Sequence, residues 1–92
     1  MTGTRIILTL NGGSSSLKFG LYRAGVSQPE TLLTGEGDSI GEGAGRLRAS
    51  DAHGNTLSTS EEPIRDQRDA VRQIGQLLID SGLPPPAVVG HR

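Results

Sequence analysis

The sequence predicts an α/β fold, a mixed β-sheet built from hairpins with one main helix. Three observations carry this. Short stretches of apolar or alternating character are separated by clusters of Gly, Ser, Asn and Asp, the residues that turn hairpins. One stretch, 64–81, has apolar residues at helical spacing. A last apolar stretch, Ala87-Val88-Val89-Gly90, begins a new buried strand after that helix. The order is therefore several strands, then a helix, then a strand.

Residues 5–10 are rich in β-branched and aliphatic side chains, and their near-continuous apolar character predicts a strand buried on both faces. Asn11-Gly12-Gly13-Ser14-Ser15-Ser16 follows as a tight turn. Residues 17–22 form a second strand. A period of two puts Leu17, Phe19 and Leu21 on one face and Lys18, Gly20 and Tyr22 on the other. A third strand is expected over 31–36. The stretch 35–45 holds five glycines with Glu36, Asp38 and Glu42 among them, which predicts a flexible surface loop. Its three carboxylates would repel phosphate, so it is not read as an anion cradle.

Weaker strands at 46–50 and 56–59 flank Asp51-Ala52-His53-Gly54-Asn55, the turn of a further hairpin that leaves His53 exposed. In the helix, Val71, Ile74, Leu77 and Leu78 share the apolar face, while Arg65, Asp66, Arg68, Asp69 and Arg72 form a solvated side. Pro63 suits the first turn and Gly82 the stop. Glu61 and Glu62 suit the dipole at the start. Pro84-Pro85-Pro86 is a stiff extended connector.

The 92 residues make one small domain or part of a larger one. With 33% hydrophobic residues, 2% aromatic (Phe19 and Tyr22) and no cysteine, the chain is expected to be marginally stable by itself. Nine Lys and Arg against ten Asp and Glu give a net charge of −1, without the positive field of a nucleic-acid or membrane-surface binder. Ile6-Ile7-Leu8 is too short for a signal-peptide core or a membrane span. The expected location is cytoplasmic, and the lack of cysteine fits a reducing compartment. No metal cluster and no Ser/His/Asp catalytic set stands out in the sequence.

The chemistry lies in Leu10-Asn11-Gly12-Gly13-Ser14-Ser15-Ser16-Leu17-Lys18. Gly12 and Gly13 permit positive φ and a close approach of backbone to ligand. The amides after them can converge on an anion. The serine hydroxyls add rotatable donors, and Lys18 adds a point charge suited to phosphate. Asn11 offers an oxygen to a hydrated Mg²⁺, which keeps most of its waters. The alternative is a plain structural hairpin, because Asn-Gly is a common hairpin turn. A Walker A loop is disfavoured: its G-x-x-x-x-G-K-[ST] is absent, and a strand rather than a helix follows the turn.

The eight positions from Asn11 to Lys18 resemble the N-terminal signature of the acetate kinase (acetokinase) family: asparagine, any residue, glycine, three serines, an aliphatic residue and lysine. Val88-Val89-Gly90-His91-Arg92 resembles the family's next landmark, a buried strand leading into Gly-His-Arg. The resemblance implies a partial N-terminal domain of the actin-like ATPase, sugar kinase and Hsp70 superfold. Residues 1–92 would hold the first phosphate-binding hairpin, the following strands, one helix and the start of the next strand. It implies phosphoryl transfer from ATP to acetate with Mg²⁺, giving acetyl phosphate and ADP, and a homodimeric parent enzyme. Asn11 resembles the magnesium-binding asparagine, Lys18 the ATP-binding lysine, and Ser14 and Ser16 the serines of the phosphate turn. Arg92 resembles an arginine that grips the carboxylate substrate, a task its paired donors suit. His91, beside it, is expected to pack along the strand.

Gly12 departs from the family, which more often has cysteine or alanine there, and should destabilise the chain slightly. Acetate kinases are several times longer than 92 residues. Their catalytic histidine and arginine, acidic magnesium ligand, adenosine pocket and second domain fall outside the match. The chain is therefore expected to be an N-terminal fragment with no catalytic residue and no activity of its own. Propionate or butyrate kinase is the near alternative, because the residues that sort acyl length lie past Arg92. A non-catalytic truncated domain that binds an anion or docks on a partner is the alternative of another class.

Overall fold

The chain runs β1 (Arg5–Gly12), β2 (Leu17–Ala24), β3 (Glu30–Asp38), β4 (Arg46–Ser50), β5 (Thr56–Ser60), α1 (Gln67–Asp80) and β6 (Val88–His91). This is a computed structural model, and it describes residues 4–25 and 28–91. The six strands form one sheet in the order β5-β4-β3-β2-β1-β6. The first five are an antiparallel meander, and β6 lies parallel to β1, with Thr9 opposite Gly90 and Leu10 opposite His91. The mixed sheet with hairpins and one helix is as the sequence predicted.

Alternation along β2 determines what each face does. Leu17, Phe19 and Leu21 lie in register with Gly12, Leu10 and Leu8 of β1. With Leu33, Leu47 and Ala49 they make a continuous apolar face, buried together with Ala70, Ile74, Leu77 and Leu78 of α1. Leu32 is the extra residue of a bulge, where the register shifts between Leu21 and Tyr22, and it packs at the edge of the same core. The opposite face carries Thr9, Asn11, Lys18, Tyr22 and Glu36 and is not covered by any described element. Strand β1 is therefore not buried on both faces as expected: Leu8 and Leu10 are buried, but Ile7 is half-buried and Thr9 exposed. Its apolar run reflects a position between two neighbouring strands, not cover on two sides.

The glycine-rich stretch is not a flexible loop. Its first part, through Asp38, is the end of β3. Its remainder is a packed turn with positive φ at Ser39, Gly41 and Gly43. Ile40 is buried there, the Gly41 amide donates to Ile64 O at 2.7 Å, and the Ile64 amide donates to Ala44 O at 3.4 Å.

The helix starts at Gln67, later than predicted, and Asp66 rather than the segment after Pro63 caps it. The Asp66 carboxylate accepts from the Asp69 amide at 2.8 Å. Glu61 and Glu62 thus precede the first turn by too much to serve its dipole, which falls off within one turn. At the other end Gly82 adopts φ 71°, its amide donates to Ile79 O, and the Leu83 amide donates to Leu78 O. That is the Schellman arrangement, with Leu83 packed on the core. Val71 is 39% exposed, and Ala70 takes its place on the core face. No helix among the described residues is long and apolar enough to cross a membrane.

Asp69 is the largest departure on the helix, since it is buried and not on a solvated side. It accepts from the Arg65 amide, from Arg72 Nε and Nη2, and from Gln73 Nε2. The Arg65 amide and then the Arg72 guanidinium hold its carboxyl below the ordinary value near 3.8. A depressed carboxyl stabilises the fold above its unfolded pKa, and that contribution is lost as pH falls through the folded one. The melting temperature of the chain should therefore fall on acidification below about pH 4. Asp69→Asn should melt lower at pH 7 and show a shallower acid slope, measured by circular dichroism. Parallel slopes for the two proteins would refute the assignment.

Candidate functional site

Strands β1 and β2 deliver the chain to and from the turn 13–16, at the end of the sheet where β6 also ends. Asn11 and Lys18 are register partners across the hairpin, both exposed on the uncovered face. Directly opposed residues of an antiparallel pair have Cβ atoms within roughly 5.5 Å, so these two side chains share one small region. Neither makes a hydrogen bond or ion pair with any described residue. Ser14 and Ser16 sit in the turn just beyond, Ser14 exposed and Ser16 half-buried. These four sequence-predicted residues thus gather at one end of one hairpin. Arg92 lies outside the described residues.

The turn has a defined polarity. The Gly13 amide donates to Ser16 O at 2.8 Å, closing it. The Ser15 carbonyl accepts from the Ile40 amide at 3.0 Å. The Gly13 and Ser16 carbonyls both accept from Gln67 Nε2, at 3.2 and 3.3 Å. Three carbonyls are thereby tied back into the protein, while the amides of Ser14, Ser15 and Ser16 have no partner among the described residues. Backbone donors left over in this way, beside hydroxyls and an ammonium, can bind an anion. Glu36 stands opposite Lys18 on β3, and Arg48 stands opposite Glu36 on β4, so the lysine begins a row of charges across the uncovered face.

The glycines act differently from expectation, because neither Gly12 nor Gly13 has positive φ. At Gly13 a Cβ would come 2.9 Å from Ser16 Oγ, a hydroxyl that can rotate aside. At Gly12 a Cβ would meet nothing nearer than Gln67 Oε1 at 3.5 Å, an ordinary contact. Gly12→Ala should therefore raise stability by about 0.5–1 kcal/mol through the unfolded chain. A urea midpoint that falls instead would reveal strain at this position.

Strand β6 is exposed along its length rather than buried as expected, because it is an edge strand with β1 as its only neighbour in the described sheet, and His91 is exposed rather than packed. It lines a shallow hollow with Thr9, Leu10, Asn11 and Gly90, where the parallel strands β1 and β6 end together. Ligands of α/β sheets bind characteristically outside such carboxyl ends. Sequence reading missed Gln67, which resembled any polar residue near a helix start. Its distance from Gly13, 54 residues along the chain, left no local signal. Among the described residues no group of three or more His, Cys, Asp or Glu could hold a metal ion.

No family model matches the chain. Acetate kinase of Streptomyces coelicolor is 35% identical over 96 aligned residues, covering 100% of this chain and 23% of the relative. The crystal structure of Porphyromonas gingivalis acetate kinase superposes with a TM-score of 0.80 at 26% identity, over 96% of this chain and 23% of that one. A propionate kinase from Francisella tularensis shares the fold, with a TM-score of 0.74 at 24% identity, over 96% of this chain and 22% of that one. The chain thus spans about a quarter of the length of the curated relatives it matches. By sequence and by fold it corresponds to an N-terminal segment of acetate kinases, a mixed α/β piece of the actin-like ATPase fold.

Proposed function

We propose that this chain, a counterpart of the N-terminal part of acetate kinases, is the first phosphate-binding wall of an enzyme that transfers a phosphoryl group from ATP to acetate. The observation that carries the reading is the turn 13–16, in which the Gly13, Ser15 and Ser16 carbonyls are bonded to the protein while the three serine amides have no partner among the described residues. Phosphoryl transfer asks the protein chiefly for alignment and for neutralisation of charge. On this reading the amides and hydroxyls of Ser14 and Ser16 hold phosphate oxygens, and Lys18 neutralises them from the opposite strand. Arg92, next in sequence after β6, grips the acetate carboxylate. Acetate in preference to propionate follows the names of the sequence relatives, since the propionate kinase neighbour supports the fold alone.

Asn11 fits a Mg²⁺ that arrives on the nucleotide. Its side chain is exposed at a strand end and free of hydrogen bonds to described residues, and it supplies one neutral oxygen. Mg²⁺ commonly takes one or two protein oxygens and fills its shell with water and phosphate. The ion would draw charge from the phosphates, with Asn11 fixing where it sits. A cytoplasmic enzyme assembled as a homodimer completes the proposal.

The test is titration of the 92-residue chain with Mg·ATP, followed by amide shifts. The Ser14, Ser15 and Ser16 signals should move on saturation, and the Asn11→Ala, Lys18→Ala double variant should bind at least tenfold more weakly, as expected for loss of a charged contact worth about 1.5–3 kcal/mol. Equal affinity in both proteins would remove the turn as a phosphate site.

A further inference from the structure

We propose that Gln67 is the positioning residue of the phosphate turn: one amide group, on the first residue of α1, holds the hairpin with its donors facing outward. This rests on the phosphate reading above for its purpose, but not for its geometry. Gln67 Nε2 donates to Gly13 O at 3.2 Å and to Ser16 O at 3.3 Å, the two carbonyls that bracket the turn. A side-chain amide nitrogen carries two N–H donors, so both bonds can be made at once. Ser16 O also accepts from the Gly13 amide, whereas Gly13 O has no other partner among the described residues, and a carbonyl left free there would repel phosphate oxygens.

The support behind Gln67 is itself fixed. Asp66 caps the helix one residue earlier, and the buried Asp69 carboxylate accepts from the Arg65 amide and from Arg72. Gln73 Nε2 reaches Pro63 O at 3.1 Å. The segment 63–67 is therefore held at both ends before its glutamine reaches the turn. The Ile40 amide, bonded to Ser15 O, braces the same turn from the 39–45 segment, where Gly41 in turn donates to Ile64 O. Turn 13–16, turn 39–45 and the start of α1 thus form one bonded layer, and Gln67 is its only side chain that reaches the Gly13–Ser16 carbonyls among the described residues. An isolated Gly/Ser turn would sample many conformations, and ordering them would weaken binding. Gln67 meets that ordering cost during folding.

The test compares the 92-residue chain with Gln67→Met, which keeps length and helix propensity but has no donor, and with Gln76→Met. Gln76 bonds only Asp80 on the exposed side of α1 and serves as the control. Backbone ¹⁵N relaxation reads the order of Ser14, Ser15 and Ser16 without nucleotide. In the wild type and Gln76→Met these amides should be as rigid as the strands, and in Gln67→Met they should become mobile while the sheet stays ordered. Exchange of the Gly13 amide should speed up in Gln67→Met alone. Mg·ATP affinity should then fall by roughly tenfold, the equivalent of one to two net hydrogen bonds. Turn amides equally ordered in wild type and Gln67→Met would overturn the proposal. Should Gln67→Met fold poorly, Gln67→Glu gives the same reading at pH 7, since a carboxylate cannot donate to either carbonyl. A wild type that ignores Mg·ATP would defeat the phosphate reading, and the relaxation comparison would still decide the role of Gln67.

Discussion

Gly35→Ala should lower the stability of the chain by about 3 kcal/mol, the upper part of the range for overpacking a filled core. Gly35 lies in β3 between Phe19 of β2 and Ala49 of β4. A Cβ there would come 2.5 Å from the Arg48 carbonyl oxygen and 2.7 Å from Phe19 Cε2. The carbonyl belongs to the β3–β4 ladder and cannot retreat without breaking it. Phe19 is 4% exposed within the core, so its ring cannot swing out to solvent without uncovering that core. Gly37, two residues on and on the same face, is the control. A Cβ at Gly37 would meet Leu47 Cδ1 at 3.4 Å, a contact a flexible leucine absorbs, so Gly37→Ala should change stability by less than about 1 kcal/mol. Urea midpoints of the two variants decide it. If Gly35→Ala unfolds with the wild type, the ring and carbonyl are not fixed as described.

The second large effect is functional. The 92-residue chain, incubated with Mg·ATP and acetate, should form no acetyl phosphate above a no-protein blank in a coupled assay. The described residues supply one wall: three amides, hydroxyls, one ammonium and one asparagine oxygen, all at an exposed end of a sheet. Charge stabilisation of a transferring phosphoryl group depends on donors preorganised around it in a site that excludes water. Here Asn11, Ser14 and Lys18 face solvent, where a unit charge is screened far more than in an interior. Turnover abolished by Lys18→Ala would show that a single wall suffices.

Much of the sheet was legible because its code is local. The alternation of Leu17, Phe19 and Leu21 against Lys18 and Tyr22 names both faces, whereas Asn11, expected in the turn, is a strand residue paired with Lys18. The misread parts depend on partners remote in sequence. Gly35 and Gly37 suggest a loop by composition, yet they are strand residues that make room for Phe19 and Leu47. The charged pattern at Arg65, Asp66, Arg68, Asp69 and Arg72 suggests a solvated stripe, but Asp69 turns inward because the Arg65 amide and Gln73 offer it bonds. The turn chemistry singled out, from their types, four residues that the structure gathers at one end of a hairpin. It could not say that Gly12 and Gly13 would keep negative φ, nor that a glutamine from the helix would fix which way the carbonyls face.

The order of the sheet has a consequence for how the chain acquires its shape. Strands β2 to β5 each pair with their immediate predecessor, so each hairpin can zip as soon as it leaves the ribosome, by closing a short loop. The first hairpin is the earliest of all, but its turn waits for a glutamine that lies 54 residues later, and β1 waits longer still for β6. On the phosphate-binding reading, the ligand-facing contour of the earliest-made piece is thus a late product of biogenesis. Chains halted before the helix would carry the signature residues in a form not yet set to receive a ligand.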